Sequence, residues 1–216
     1  MLKSWRTDTA TPLPSGQRSA NGQTAPQTRN SSGLEQFFAY LHQRENLSIL
    51  DLSGASQANV TFITNLGHRL YSEDALTTMN EVFGSDPETQ SNPVRIEMFL
   101  KQVLDFNDEQ FDGALVWDLL QFLSPEALQA TVDRLYRVLK PHSYVLAFFN
   151  ANEKATKIPA YYYRIAESKS ILLSPRGERP ATQFFNNRAI EKLFQRYESI
   201  KFFLTRDSLR EVIAKR

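Results

Sequence analysis

The chain has 216 residues, with 25 lysines and arginines against 24 acids and a formal net charge of +1, so it carries no long-range field that would steer nucleic acid or an anionic membrane. It contains no cysteine, which excludes disulfides, thiolate metal sites and cysteine nucleophiles and suits a reducing, cytoplasmic setting. No apolar run approaches the roughly 18 residues of a membrane span and no signal-peptide core opens the chain, while His42, His68 and His142 are too scattered for a local metal motif.

Residues 1 to 33 are rich in Ser, Thr, Gln, Asn, Pro and Gly, with Leu2, Trp5 and Leu13 as their only large apolar side chains. They read as a disordered tail, because so little apolar surface cannot offset the entropy of ordering. One folded domain is expected over 34 to 216. Leu34, Phe37, Phe38 and Leu41 recur at helical spacing, and residues 47 to 52 read as a buried strand. A helix over 56 to 66 ends at Gly67, a short strand covers 68 to 72, and Glu73 and Asp74 start a further helix that runs to Phe83. Residues 84 to 93 form a loop, and the spacing of Ile96, Phe99, Leu100, Val103 and Leu104 predicts a helix over 94 to 104.

Residues 111 to 118 read as a central strand ending in an acid. Ser124, Pro125 and Glu126 then supply an N-cap, a first-turn proline and a dipole-matched acid for a helix that Pro141 stops. Tyr144 to Phe149 is an uninterrupted apolar strand of the kind found when both sheet faces are covered. A hairpin insertion at about 157 to 184, with strands near 161 to 166 and 169 to 174, is placed to sit over a ligand mouth. A helix over 187 to 197 and two antiparallel strands, 200 to 205 and 209 to 214, complete the pattern, with a short helix as the alternative for the last eight residues.

The most informative stretch is 49 to 57, where an apolar strand delivers Asp51 to a turn of small residues, Ser53, Gly54 and Ala55, followed by a helix whose amide end points at the same place. Asp74 comes at close to the roughly 20-residue spacing at which an acid at the end of a second strand meets a ribose hydroxyl. The same residues also describe a buried strand, a turn and a crossover helix that bind nothing. A serine hydrolase is discounted, because the Gly-x-Ser-x-Gly elbow is absent around Ser53.

With these features the chain resembles the class I S-adenosylmethionine-dependent methyltransferases over nearly all of 34 to 216. Residues 51 to 57 stand where that family has an acid and a glycine-rich turn, and Asp74 stands where its second-strand acid holds the ribose. Residues 111 to 126 are similar to its fourth strand and the residues after that strand. Residues 134 to 141 look like the end of the helix before its fifth strand, with His142 and Ser143 in place of the usual glycines. The resemblance implies an α/β, Rossmann-like three-layer sandwich with a mostly parallel sheet and a C-terminal antiparallel hairpin. It implies S-adenosyl-L-methionine as cofactor, held by Asp51, Ser53, Gly54, Ala55, Asp74, Trp117 and Asp118, with Asp105 and Phe106 as candidates for the adenine site. It also implies direct methyl transfer to a small-molecule acceptor, a displacement driven by positioning, for which no universal catalytic residue is expected. Trp117 and the Tyr161 to Tyr163 cluster are candidates for an acceptor pocket or for packing. The chain departs from the family at Ser53, Ala55 and Gln57, where glycines are expected, and this supports an alternative: a methyltransferase-like binding or scaffold domain without cofactor binding. An NAD-binding oxidoreductase is a third reading. No motif specifies the acceptor or the oligomeric state.

Overall fold

The computed structural model describes residues 25–42, 44–84, 86–152, 154–205 and 209–216. Of the tail expected over residues 1 to 33, residues 1 to 24 lie outside the described residues, as does the turn at 206 to 208.

Four parallel strands form one side of a six-stranded sheet: β2 (Ser48–Asp51), β3 (Arg69–Ser72), β4 (Phe111–Trp117) and β5 (Leu139–Asn150). The sheet is completed by β8 (Ser199–Leu204) and β9 (Leu209–Lys215), with β9 antiparallel to both β5 and β8, in the order β3-β2-β4-β5-β9-β8. The helices are α1 (Ser32–Leu41), α2 (Gln57–Asn65), α3 (Ala75–Phe83), α4 (Pro93–Val103), α5 (Pro125–Val138) and α6 (Asn187–Leu193). Each starts where a short polar side chain caps it: Ser31, Ser56, Asp74, Asn92, Ser124 and Asn186 all accept a first-turn backbone N–H, which satisfies donors the helix itself cannot.

Both sheet faces are covered, and alternation along β4 divides the core. Ala114 and Val116 face α3, α4, α5 and α6 together with Phe99, Leu135 and Phe149. Leu115 and Trp117 face α1 and α2 together with Phe37, Ile63 and Phe148. This is why the parallel strands read as unbroken apolar runs. The second core is closed by an antiparallel three-stranded sheet, β1-β7-β6, built from β1 (Gln27–Asn30), β6 (Lys157–Glu167) and β7 (Ser170–Pro180).

Three expectations need correction. Residues 27 to 33 belong to the fold, because β1 pairs with β7 and the Arg29 guanidinium meets the fully buried Glu211 at 2.8 Å. Ser31 Oγ and the Gly33 N–H also donate to Glu211, at 2.9 and 2.6 Å, and a Cβ on Gly33 would lie 2.9 Å from that carboxylate. Pro141 does not separate helix from strand: Leu139 already pairs with Phe111, and Pro141 and the left-handed His142 sit in a register break within β5, a place where a strand tolerates proline. Helix α6 stops at Leu193, four residues short of Tyr197. The last residues form the antiparallel strand β9 that the main reading of the sequence expects, rather than the alternative helix.

Candidate functional site

Parallel strands deliver the carboxyl ends of β2, β3, β4 and β5 to one edge of the sheet, the edge at which open α/β sheets bind ligands. Asp51 ends β2 with no solvent exposure. Its Oδ1 accepts from the Ser53 N–H at 3.0 Å, Ser53 Oγ at 2.7 Å and the Trp117 indole N–H at 2.7 Å, and its Oδ2 accepts from Asn59 Nδ2 at 2.6 Å. Burial pushes this carboxyl up from its ordinary pKa, and the four donors pull it back. Asp51 is thus a structural anchor with its acceptor sites filled from within.

The chain leaving β3 turns back across the end of β2. Glu73 N–H donates to the Asp51 carbonyl at 2.9 Å, Gly54 N–H to the Glu73 carbonyl at 3.1 Å and Ala75 N–H to the Leu52 carbonyl at 3.3 Å. This crossing carries α3 to the sheet face opposite α2. Gly54 has φ +91°, and a Cβ there would lie 3.3 Å from the Asp74 side chain, so the one glycine of the turn admits Asp74. The Asp74 carboxylate caps α3, accepting from Thr77 N–H at 3.0 Å and Thr77 Oγ1 at 2.9 Å. Arg176 Nη2, from β7, lies 2.8 Å from Oδ1 and 2.9 Å from Oδ2, so both oxygens are engaged.

The β6–β7 hairpin docks on the same edge. Asn59, fully buried in the first turn of α2, donates to the Tyr163 carbonyl at 3.1 Å and accepts from the Ile165 N–H at 2.7 Å while holding Asp51. The Tyr163 ring stacks on Trp117 with centroids 4.8 Å apart and planes 9° apart. Trp117 takes this position with φ +54°, a left-handed conformation costing about 1–2 kcal/mol for an L-residue, which the bond to Asp51 and the stack hold in place. Asp118, next along and almost fully buried, is hydrogen-bonded by the Tyr163 hydroxyl and the Tyr161 N–H, and its Oδ2 is buried without a hydrogen-bond partner among the described residues. Burial pushes its pKa up to about 7 against those bonds and the Arg176 charge. Burial and the neighbouring Asp118 hold the Tyr163 hydroxyl well above the usual phenol range.

A methyltransferase-domain family model matches residues 50–147, the span from β2 into β5 that builds this edge. Over this span the chain resembles the class I S-adenosylmethionine-dependent methyltransferases. Among solved structures, it is similar to a SAM-dependent methyltransferase from Archaeoglobus fulgidus at 13% identity and TM-score 0.51, covering 85% of this chain and 91% of that one. It is also similar to the Burkholderia thailandensis 1,6-didemethyltoxoflavin-N1-methyltransferase with bound 1,6-didemethyltoxoflavin and S-adenosylhomocysteine, at 13% identity and TM-score 0.45, covering 86% of this chain and 79% of that one. At such identity the likeness to the Archaeoglobus fulgidus structure shows a shared fold. No curated protein matches the sequence. Family and fold support an S-adenosylmethionine-dependent methyltransferase as the class, and they identify no acceptor.

The residues at the strand ends of this methyltransferase-family domain do not fit the cofactor in the arrangement described. The acid expected to hold a ribose is neutralised by Arg176 and spent on Thr77, the main chain of Glu73 and Ala75 crosses the end of β2, and the Tyr163 ring covers the end of β4. Asp51, Ser53, Gly54, Asp74, Trp117 and Asp118 do converge, and Ala55 sits exposed beside them. Asp105 and Phe106 do not join them. The Phe106 ring packs at 4.9 Å on Phe111, the first residue of β4, at the opposite edge, because α4 leads straight into β4 with no strand between. His68 lies just before β3 and is buried, with a lowered pKa caused by burial; His142 is exposed in β5, and His42 caps the end of α1. Two residues that organise the site, Asn59 and Arg176, escape sequence reading. The only local signal is an asparagine in a helical first turn, where a short polar side chain looks like ordinary capping.

Proposed function

We propose that this methyltransferase-family domain works as a binding or scaffold module whose cofactor cleft is closed by its own β6–β7 hairpin. The observation that carries this reading is the Asp74 carboxylate, both of whose oxygens are held by Thr77 and Arg176. A ribose hydroxyl would have to displace a charge-assisted bond to a guanidinium whose side chain is only 8% exposed, a poor exchange for one neutral hydrogen bond. The near-zero net charge favours a small-molecule or protein partner over nucleic acid or membrane, and the lack of cysteine supports a cytoplasmic setting. Among the described residues no helix is long and apolar enough to cross a membrane.

A second reading, a working methyltransferase for a small-molecule acceptor, is favoured by the family match over 50–147 and by a cavity of about 410 Å³ at the same edge, lined in part by Gln121, Asn150, Tyr161 and Tyr163. It requires the hairpin to leave its dock. Calorimetric titration of the full chain with S-adenosylhomocysteine separates the two: no binding at millimolar ligand is expected, and micromolar affinity would overturn the closed-module reading. Repeating the titration on Arg176→Ala sharpens the test. Binding that appears only in this variant would make the hairpin a gate over an intact site and establish the second reading.

A further inference from the structure

A cavity of about 650 Å³ lies between the end of α3, the 3-10 turn Leu119–Phe122 and the β7 strand, apart from the closed cleft. Two guanidiniums line it. Arg176 spends Nη2 on Asp74 and Thr77, and its Nη1 is buried without a hydrogen-bond partner among the described residues. Arg179 donates through Nη1 to Asn80 Oδ1 at 2.7 Å, pairs with no carboxylate among the described residues, and lies 5.7 Å from the centre of the Phe122 ring. Asp86 and Glu178 also border the cavity. Asp86 turns Oδ1 to the Glu88 N–H at 3.0 Å, and Glu178 is exposed on the strand. Arg179, with the spare Nη1 of the Asp74-paired Arg176 near it and the Phe122 ring beside it, makes a chemically defined site: an oxyanion takes guanidinium donors, and an apolar body suits the ring.

We propose that this cavity binds a small organic anion, a carboxylate or phosphate monoester carrying a flat apolar group, with the oxyanion between Arg176 and Arg179 and the apolar group against Phe122. The ligand would bridge β7 to the body of the domain and tighten the docked hairpin. The proposal rests on the docked hairpin of the closed-module reading, since Arg176 both holds Asp74 and lines this cavity.

The test is thermal unfolding of the full chain titrated with phenyl phosphate, benzoate, inorganic phosphate and benzyl alcohol, on the natural protein and on Arg179→Gln. Phenyl phosphate or benzoate is expected to raise the melting temperature with saturation in the millimolar range or below. Inorganic phosphate should act more weakly and benzyl alcohol not at all. Arg179→Gln, which keeps a donor for Asn80, should melt as the natural protein does without ligand and bind at least tenfold more weakly. Whichever oxyanion saturates first names the headgroup. An undiminished response in Arg179→Gln, no response in the natural protein, or a response abolished by excess S-adenosylhomocysteine overturns the proposal.

Discussion

At the scale of single residues, the clearest chemical signature is Asp118. Its carboxyl is buried and its pKa is pushed up to about 7 from the ordinary 3.8. A raised acid binds its proton more tightly in the folded state, so the stability it contributes is complete below pH 3.8 and is lost as pH rises toward and through 7. The full swing is on the order of 4 kcal/mol. Asp118→Asn keeps an acceptor for the Tyr163 hydroxyl and removes the titration. Chemical denaturation across pH 5 to 8 should show the variant holding its stability while the natural protein weakens, the two converging at the acid end; parallel curves would mean that Asp118 is ionised throughout. The sequence marks Asp51, Asp74 and Asp118 as acids at strand ends, and all three lie there. What each carboxylate does is not legible, because the partners that decide it are distant: Ile165 stands 106 residues from Asn59, and Arg176 stands 102 from Asp74.

At the scale of elements, the strands and helices that repeat a local period are readable, including α4 and the capped starts of α3 and α5. The elements misread are those set by long-range pairing. The four residues of β1 have no apolar pattern and exist because β7 offers an edge, while the hairpin strands extend well past their apolar centres because they pair with each other over their whole length. The hairpin's attachment to α2 hangs on Asn59. Asn59→Ala would leave Asp51 Oδ2, the Tyr163 carbonyl and the Ile165 N–H without their bonds in a buried setting, a loss of about 3 kcal/mol or more. Hydrogen exchange should show faster opening confined first to residues 157 to 180, with the Ile165 amide leading. Uniform acceleration across β2, β4 and β5 would instead show that the hairpin and the sheet open as one unit.

At the scale of the whole molecule, two apolar cores lie on either side of one sheet, and the second is roofed by the β1-β7-β6 sheet. Parallel order and right-handed crossovers are legible from alternating strands and helices. The crossing of α3 to the far face is not, because it depends on β3 having no outer neighbour. The roof's tether is β1, whose Arg29 reaches Glu211 on β9 and so ties the small sheet to the large one. Comparing a chain that begins at Ala25 with one that begins at Ser31 isolates this tether, since both keep the Ser31 cap of α1. The shorter chain loses the guanidinium beside a buried carboxylate, worth about 3 kcal/mol when one partner of such a pair is removed, and bares the outer edge of β7. Its melting temperature should fall by roughly 10 °C, and size-exclusion chromatography at rising concentration should show self-association through the open edge. Equal melting temperatures for the two chains would mean that Ser31 and Gly33 alone suffice to hold Glu211.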